Sequence, residues 1–151
     1  MKTWQRHAFN ILSAAVTVTG VLYFWMKNML VSTDPLAVVN HPLQPLMVDL
    51  HVVSGPALLV MFGIVFSTHI ASKLAQRVPL RRSGMASLAT FLIMAPTGYL
   101  LQVSVNEYLR LAVLWLHIGS GVVFATSYGV HLVAGLRLWR RSILSQRSAS
   151  S

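Results

Sequence analysis

Residues 111–136 read LAVLWLHIGSGVVFATSYGVHLVAGL, an unbroken run of apolar and small residues bracketed by Arg110 and Arg137. A membrane-spanning helix needs about 20 largely apolar residues, and this stretch meets that length with room for tilt. Three more stretches qualify: 8–29 with Lys27 near its end, 46–71 with Asp49 at its start, and 85–105. Turn signals separate them: Thr33-Asp34-Pro35, His41-Pro42 with Gln44-Pro45, Arg81-Arg82-Ser83-Gly84, and Asn106-Glu107. Pro56 and Pro96 lie inside the second and third stretches, where proline kinks a membrane helix rather than ending it. There is no strand-like alternation and no internal repeat. The expectation is an all-α membrane protein, a four-transmembrane-helix bundle over residues 1–141, followed by a disordered, basic and Ser-rich tail over 142–151.

Composition points the same way. Hydrophobic residues make up 55% of the 151 and charged residues only 10%, against about 25% charge in a soluble domain. That surface does not suit a water-soluble enzyme. A net charge of +9 would suit a nucleic-acid binder only if it formed one basic face. Here it falls between apolar runs, so no nucleic-acid partner is expected. The absence of cysteine removes disulfides, thiolate metal sites, iron–sulfur ligation and covalent haem attachment. Lys2 and Arg6 resemble the start of a signal peptide, but the apolar run behind them is long and no clear small-residue cleavage site follows. The first span is therefore read as retained.

Ten of the twelve Lys and Arg fall on one side of the four spans: Lys2 and Arg6, then Lys73, Arg77, Arg81 and Arg82, then Arg137, Arg140, Arg141 and Arg147. The other side holds Lys27, Arg110 and the three acids Asp34, Asp49 and Glu107. Positive residues stay cytoplasmic, which predicts both termini inside, in a bacterial cytoplasmic membrane, with the basic ends on anionic lipid headgroups. Trp4, Tyr23, Trp25, Tyr108 and Trp139 sit at span ends, as interfacial anchors do.

Four of the six histidines lie within spans: His51 and His69 in the second, His117 and His131 in the fourth. Ionisable groups at membrane depth are costly and point to function. At about 100° per residue, 18 steps from His51 to His69 bring both rings to one face, and 14 steps from His117 to His131 nearly do so. Spans two and four run in the same direction, so each depth holds one imidazole from each helix. Two facing imidazoles are the axial ligand set of a b-type haem, each ring needing a partner for its second nitrogen. The expectation is two haem b groups, an outer one on His51 and His117 and an inner one on His69 and His131. The ligand spacing along the two helices, about 27 Å and about 21 Å at 1.5 Å per residue, leaves a mismatch for tilt or for a kink at Gly55-Pro56. Gly55, Gly121 and Gly135 each follow a histidine by four residues, on the same helix face, and make room for a flat porphyrin. Small residues at helix contacts would look the same. Lys73, Arg77, Arg137 and Arg140 are candidate partners of the inner propionates. His41, Asp49 and Glu107 are candidates for an outer quinone or proton site, although solvated loop groups look no different. Met61 and Met94 are read as packing.

With these residues in place, the chain resembles the small four-helix, di-haem cytochrome b subunits of formate dehydrogenase and nickel–iron hydrogenase and their stand-alone relatives. The most specific match is His117 and His131 with thirteen residues between them. Arg6-His7 followed by Thr19-Gly20-Val21-Leu22-Tyr23-Phe24 is similar to the first helix of that group. The resemblance implies bis-histidine haem b, electron transfer and exchange with quinone or quinol. It also implies an alternative inner ligand: a histidine near the start of helix one, here His7. The resulting expectation is a di-haem cytochrome that passes electrons between the quinone pool and a redox partner protein or catalytic subunit. It has no catalytic centre of its own and is compatible with a homo-oligomer. Two other classes stay open: a haem-free anchor or assembly subunit of a respiratory complex, and a histidine-based metal transporter, for which midplane carboxylates are lacking.

Overall fold

The computed structural model describes residues 2–74 and 80–149. They form helices α1 (Thr3–Asn28), α2 (Gln44–Val65), α3 (Ala71–Leu74), α4 (Arg81–Val103) and α5 (Glu107–Ala149), with a π-helical segment, Phe66–Ile70, joining α2 to α3. No strand occurs among the described residues. Four helical stretches are long and apolar enough to cross a membrane: Thr3–Asn28, Gln44–Lys73, Arg81–Val103 and Glu107–Gln146. The chain divides into two compact units, Met1–Ala75 and Gln76–Ser151, each an antiparallel helical hairpin.

The helices outrun the apolar stretches that announce them. α1 begins at Thr3, where Lys2 N–H donates to Gln5 Oε1 at 2.7 Å. α4 begins at Arg81, within a segment whose Arg-Arg-Ser-Gly composition reads as a turn. α5 continues to Ala149, in place of the unstructured tail expected from Ser142; residues 150 and 151 lie outside the described residues. The reason is local. Backbone hydrogen bonding does not stop where hydrophobicity does, and Leu, Arg, Gln and Ala all favour helix. Real stops occur where a side chain caps the end: Asn106 Oδ1 accepts the Leu109 N–H at 3.0 Å at the start of α5.

In the first hairpin, α1 turns Gln5, Phe9, Ser13 and Val16 inward at helical spacing. α2 answers with Leu58, Met61, Phe62 and Val65. The connecting loop is held by Asn40 Nδ2 donating to Lys27 O at 2.9 Å and by an Asp34 turn in which Leu36 N–H donates to Oδ1 at 2.9 Å. The second hairpin is pinned along its length. Ser83 meets His131 at 3.1 Å, the Ser87 and Ser127 hydroxyls meet at 3.0 Å, and Thr97 meets His117 at 3.2 Å. The Phe91 and Phe124 rings lie 5.6 Å apart between these contacts, and Phe124 stacks on Tyr128. These contacts share one antiparallel register. Outward, large apolar side chains such as Val60 and Trp115 remain 65% and 58% exposed, the surface expected of helices whose solvent is lipid.

The π-helical segment has a visible cause. Ser67 Oγ and Thr68 Oγ1 both donate to the Ile64 carbonyl, at 3.0 and 2.8 Å. Two hydroxyls on one carbonyl compete with its helical N–H partner and loosen the turn. His69 sits inside this segment. The 18-step count from His51 assumed a continuous α-helix. A π turn advances by a smaller angle per residue, so the count does not hold the two rings to one face.

Candidate histidine site

His51 and His69 belong to the first hairpin, His117 and His131 to the second. Within its hairpin, each of three rings is gripped by the neighbouring helix. His51 Nδ1 lies 2.9 Å from the Val16 carbonyl and 3.4 Å from Thr19 Oγ1. His117 Nδ1 lies 3.0 Å from the Met94 carbonyl and 3.2 Å from Thr97 Oγ1. His131 Nδ1 lies 3.1 Å from Ser83 Oγ, a hydroxyl that itself donates to the Leu80 carbonyl at 3.0 Å. A carbonyl oxygen only accepts, so Nδ1 of His51 and of His117 carries the proton and donates it. The lone pair of each neutral ring then resides on Nε2. A metal-ligating histidine has this arrangement, one nitrogen tied to a carbonyl and the other directed to the metal.

Glycines complete the grip, but not the glycines singled out from the sequence. A Cβ at Gly20 would stand 2.8 Å from His51 Cε1, one at Gly98 3.0 Å from His117 Cε1, and one at Gly84 3.4 Å from His131 Cε1. The three named from same-helix spacing have other surroundings. A Cβ at Gly55 would meet nothing within 4 Å, at Gly121 it would meet Met94 Sδ at 3.7 Å, and at Gly135 Leu80 Cδ1 at 3.9 Å. Thr19-Gly20, Thr97-Gly98 and Ser83-Gly84 are thus the residues that reading missed as a set. A serine or threonine precedes glycine five times in the chain, and these three are the pairs on α1 and α4, the helices that pack against α2 and α5.

His69 is half-buried, and none of the nine glycines has its ring among the atoms nearest the Cβ position. His7 is exposed on the first turns of α1. His41 uses its Nδ1 to accept the Leu43 N–H at 3.1 Å, placing its proton on Nε2, the opposite tautomer to His51 and His117. That contact makes it a fastening of its own loop. Asp49 and Glu107 are exposed, Glu107 in the first turn of α5. Lys73, Arg137 and Arg140 are exposed near one end of their hairpins, and Arg77 lies outside the described residues. Met61 and Met94 are buried, as packing requires. No group of three or more His, Cys, Asp or Glu able to hold a metal ion occurs among the described residues. No family model, characterised protein or solved structure matches the chain.

Proposed function

We propose that this chain is an integral-membrane di-haem b-type cytochrome that transfers electrons between the quinone pool and a redox partner protein or subunit. The observation that carries the reading is the tautomer of His51 and His117. Two histidines within the apolar helices, one in each hairpin, both give Nδ1–H to a backbone carbonyl, which puts the lone pair of the neutral ring on Nε2. Neutral imidazole of this kind suits haem iron. When bound, haem supplies a one-electron couple whose potential follows its axial ligands and surroundings.

In this reading the four spans cross a bacterial cytoplasmic membrane, with both termini inside. His51 and His117 ligate the outer haem. His131 ligates the inner haem together with His69 or with His7. The π-helical segment removes the shared face that counting gave His69 with His51, and what favours His69 over His7 is its place deeper in the span. Lys73, Arg137 and Arg140 sit where inner propionates need cations. The apolar outer faces keep water from the site and meet lipid, while the exposed acids Asp49 and Glu107 stand at the outer edge, where a quinol would release protons.

A reduced-minus-oxidised spectrum of the purified chain, with haem counted per chain, tests the reading. A b-type band and two haems are expected. A colourless preparation made with ample porphyrin supply would reduce the protein to a four-span anchor, and metal uptake into vesicles would revive the transporter reading.

A further inference from the structure

The three gripped histidines share one design, and the gripping residues are not themselves ligands. Val16, Thr19 and Gly20 hold His51; Met94, Thr97 and Gly98 hold His117; Ser83 and Gly84 stand against His131, and Leu80 O accepts from the Ser83 hydroxyl. Each set is a carbonyl at position i, a hydroxyl at i+3 and a glycine at i+4. The geometry of a helix explains the spacing. The carbonyl of residue i points along the axis toward the N–H of residue i+4. A ring from a neighbouring helix reaches that oxygen's second lone pair only by passing over the Cα of i+4, and any Cβ there blocks it. The hydroxyl at i+3 bonds back to its own helix and turns an oxygen toward the same ring nitrogen. Thr19 Oγ1 donates to Ala15 O at 2.7 Å, and Thr97 Oγ1 to Ile93 O and Met94 O at 2.8 and 2.9 Å.

The three sets are not equal. His51 and His117 give their N–H to a carbonyl, at 2.9 and 3.0 Å. His131 faces a hydroxyl, at 3.1 Å. An amide carbonyl is the stronger acceptor, and a stronger acceptor on Nδ1–H makes Nε2 a more basic ligand. More basic axial ligands favour ferric iron and lower the potential.

We propose that Thr19-Gly20, Thr97-Gly98 and Ser83-Gly84 are positioning residues that fix the tautomer and ligand strength of His51, His117 and His131, each within its own hairpin. This rests on the haem reading above. Thr97 is the sharpest probe, because its hydroxyl lies nearly as close to His117 as the carbonyl does, whereas Thr19 stands off at 3.4 Å.

The test is a redox titration of the full chain in detergent, with haem content and the low-spin ferric EPR signals recorded in parallel. Wild type titrates in two waves. Thr97→Val raises one wave and moves one EPR signal, Thr97→Ser restores both, and Ser83→Ala also raises a wave and moves a signal. Gly20→Ala displaces the His51 ring and loses one of two haems. Isosteric Thr97→Val keeps the inference testable if Gly20→Ala does not fold. A coloured wild type in which Thr97→Val and Ser83→Ala leave both waves and both signals unchanged overturns this inference alone. A colourless wild type overturns the haem reading, and this inference with it.

Discussion

At the scale of single residues, the chemistry lies in which nitrogen of an imidazole holds the proton. His51 and His117 give it to carbonyls across the hairpin, whereas His41 keeps Nδ1 as an acceptor within its loop. Helix histidines and a loop histidine therefore differ in kind, although the sequence writes them alike. If His51 and His117 share one haem, His117→Ala removes that haem and leaves the other, reading one haem per chain by pyridine haemochrome. Retention of both would refute the pairing. For the inner haem, one of His7→Ala and His69→Ala lowers the haem count and the other does not, measured on the same pair of preparations. Two full haems in both variants would deny either residue the role.

At the scale of elements, each hairpin depends on a narrow seam. Lipid is as apolar as leucine, so helix association in a membrane rests on fit and on hydrogen bonds rather than on hydrophobic burial. The second hairpin shows both. Ser87→Ala removes the hydroxyl pair with Ser127, and the expected loss is about 0.6 kcal/mol, read from unfolding in mixed micelles. Phe124→Ala removes two ring contacts, to Phe91 and Tyr128. It should cost more, on the order of 1 kcal/mol for each ring pair; a smaller loss than for Ser87→Ala would show that ring packing contributes little to this seam. The π-helical segment is an element-scale feature with a residue-scale cause. Replacing Ser67 and Thr68 together with Ala frees the Ile64 carbonyl for its helical partner. The expected result is a regular helix that turns His69 further round. In electron-spin distance measurements between labels flanking residues 66–70, that change appears as a longer, sharper distribution than wild type, because an α-helix rises further per residue than a π-helix.

At the scale of the whole molecule, charge decides placement in the membrane. Ten basic residues on one side of the spans against two on the other predict cytoplasmic termini. The chain has no cysteine, so single introduced thiols report sidedness without background. Val38 is 99% exposed in the loop between α1 and α2. Val38→Cys should react with an impermeant maleimide in intact spheroplasts, and Thr3→Cys only after the membrane is opened. The reverse pattern would invert the topology and exchange the sides assigned to the two proposed haems.

Much of this architecture is legible along the chain, because the properties that make it are local. Length and hydropathy mark four long apolar helices, and Asn28 and Asn106 stand at helix ends. Three features escaped that reading, each for its own physical reason. The π-helical segment arises from two hydroxyls meeting one carbonyl, a competition that periodicity does not record. The helices run past the apolar stretches because the backbone's hydrogen bonding is indifferent to the edge of the hydrocarbon. The glycines were sought four residues from each histidine on its own helix, whereas the ring leans on the partner helix, against Gly20, Gly98 and Gly84. Which carbonyl an imidazole reaches depends on the register of two antiparallel helices. That register is set by contacts between residues far apart in the chain, such as Ser87 with Ser127, so it came into view only with the hairpins folded.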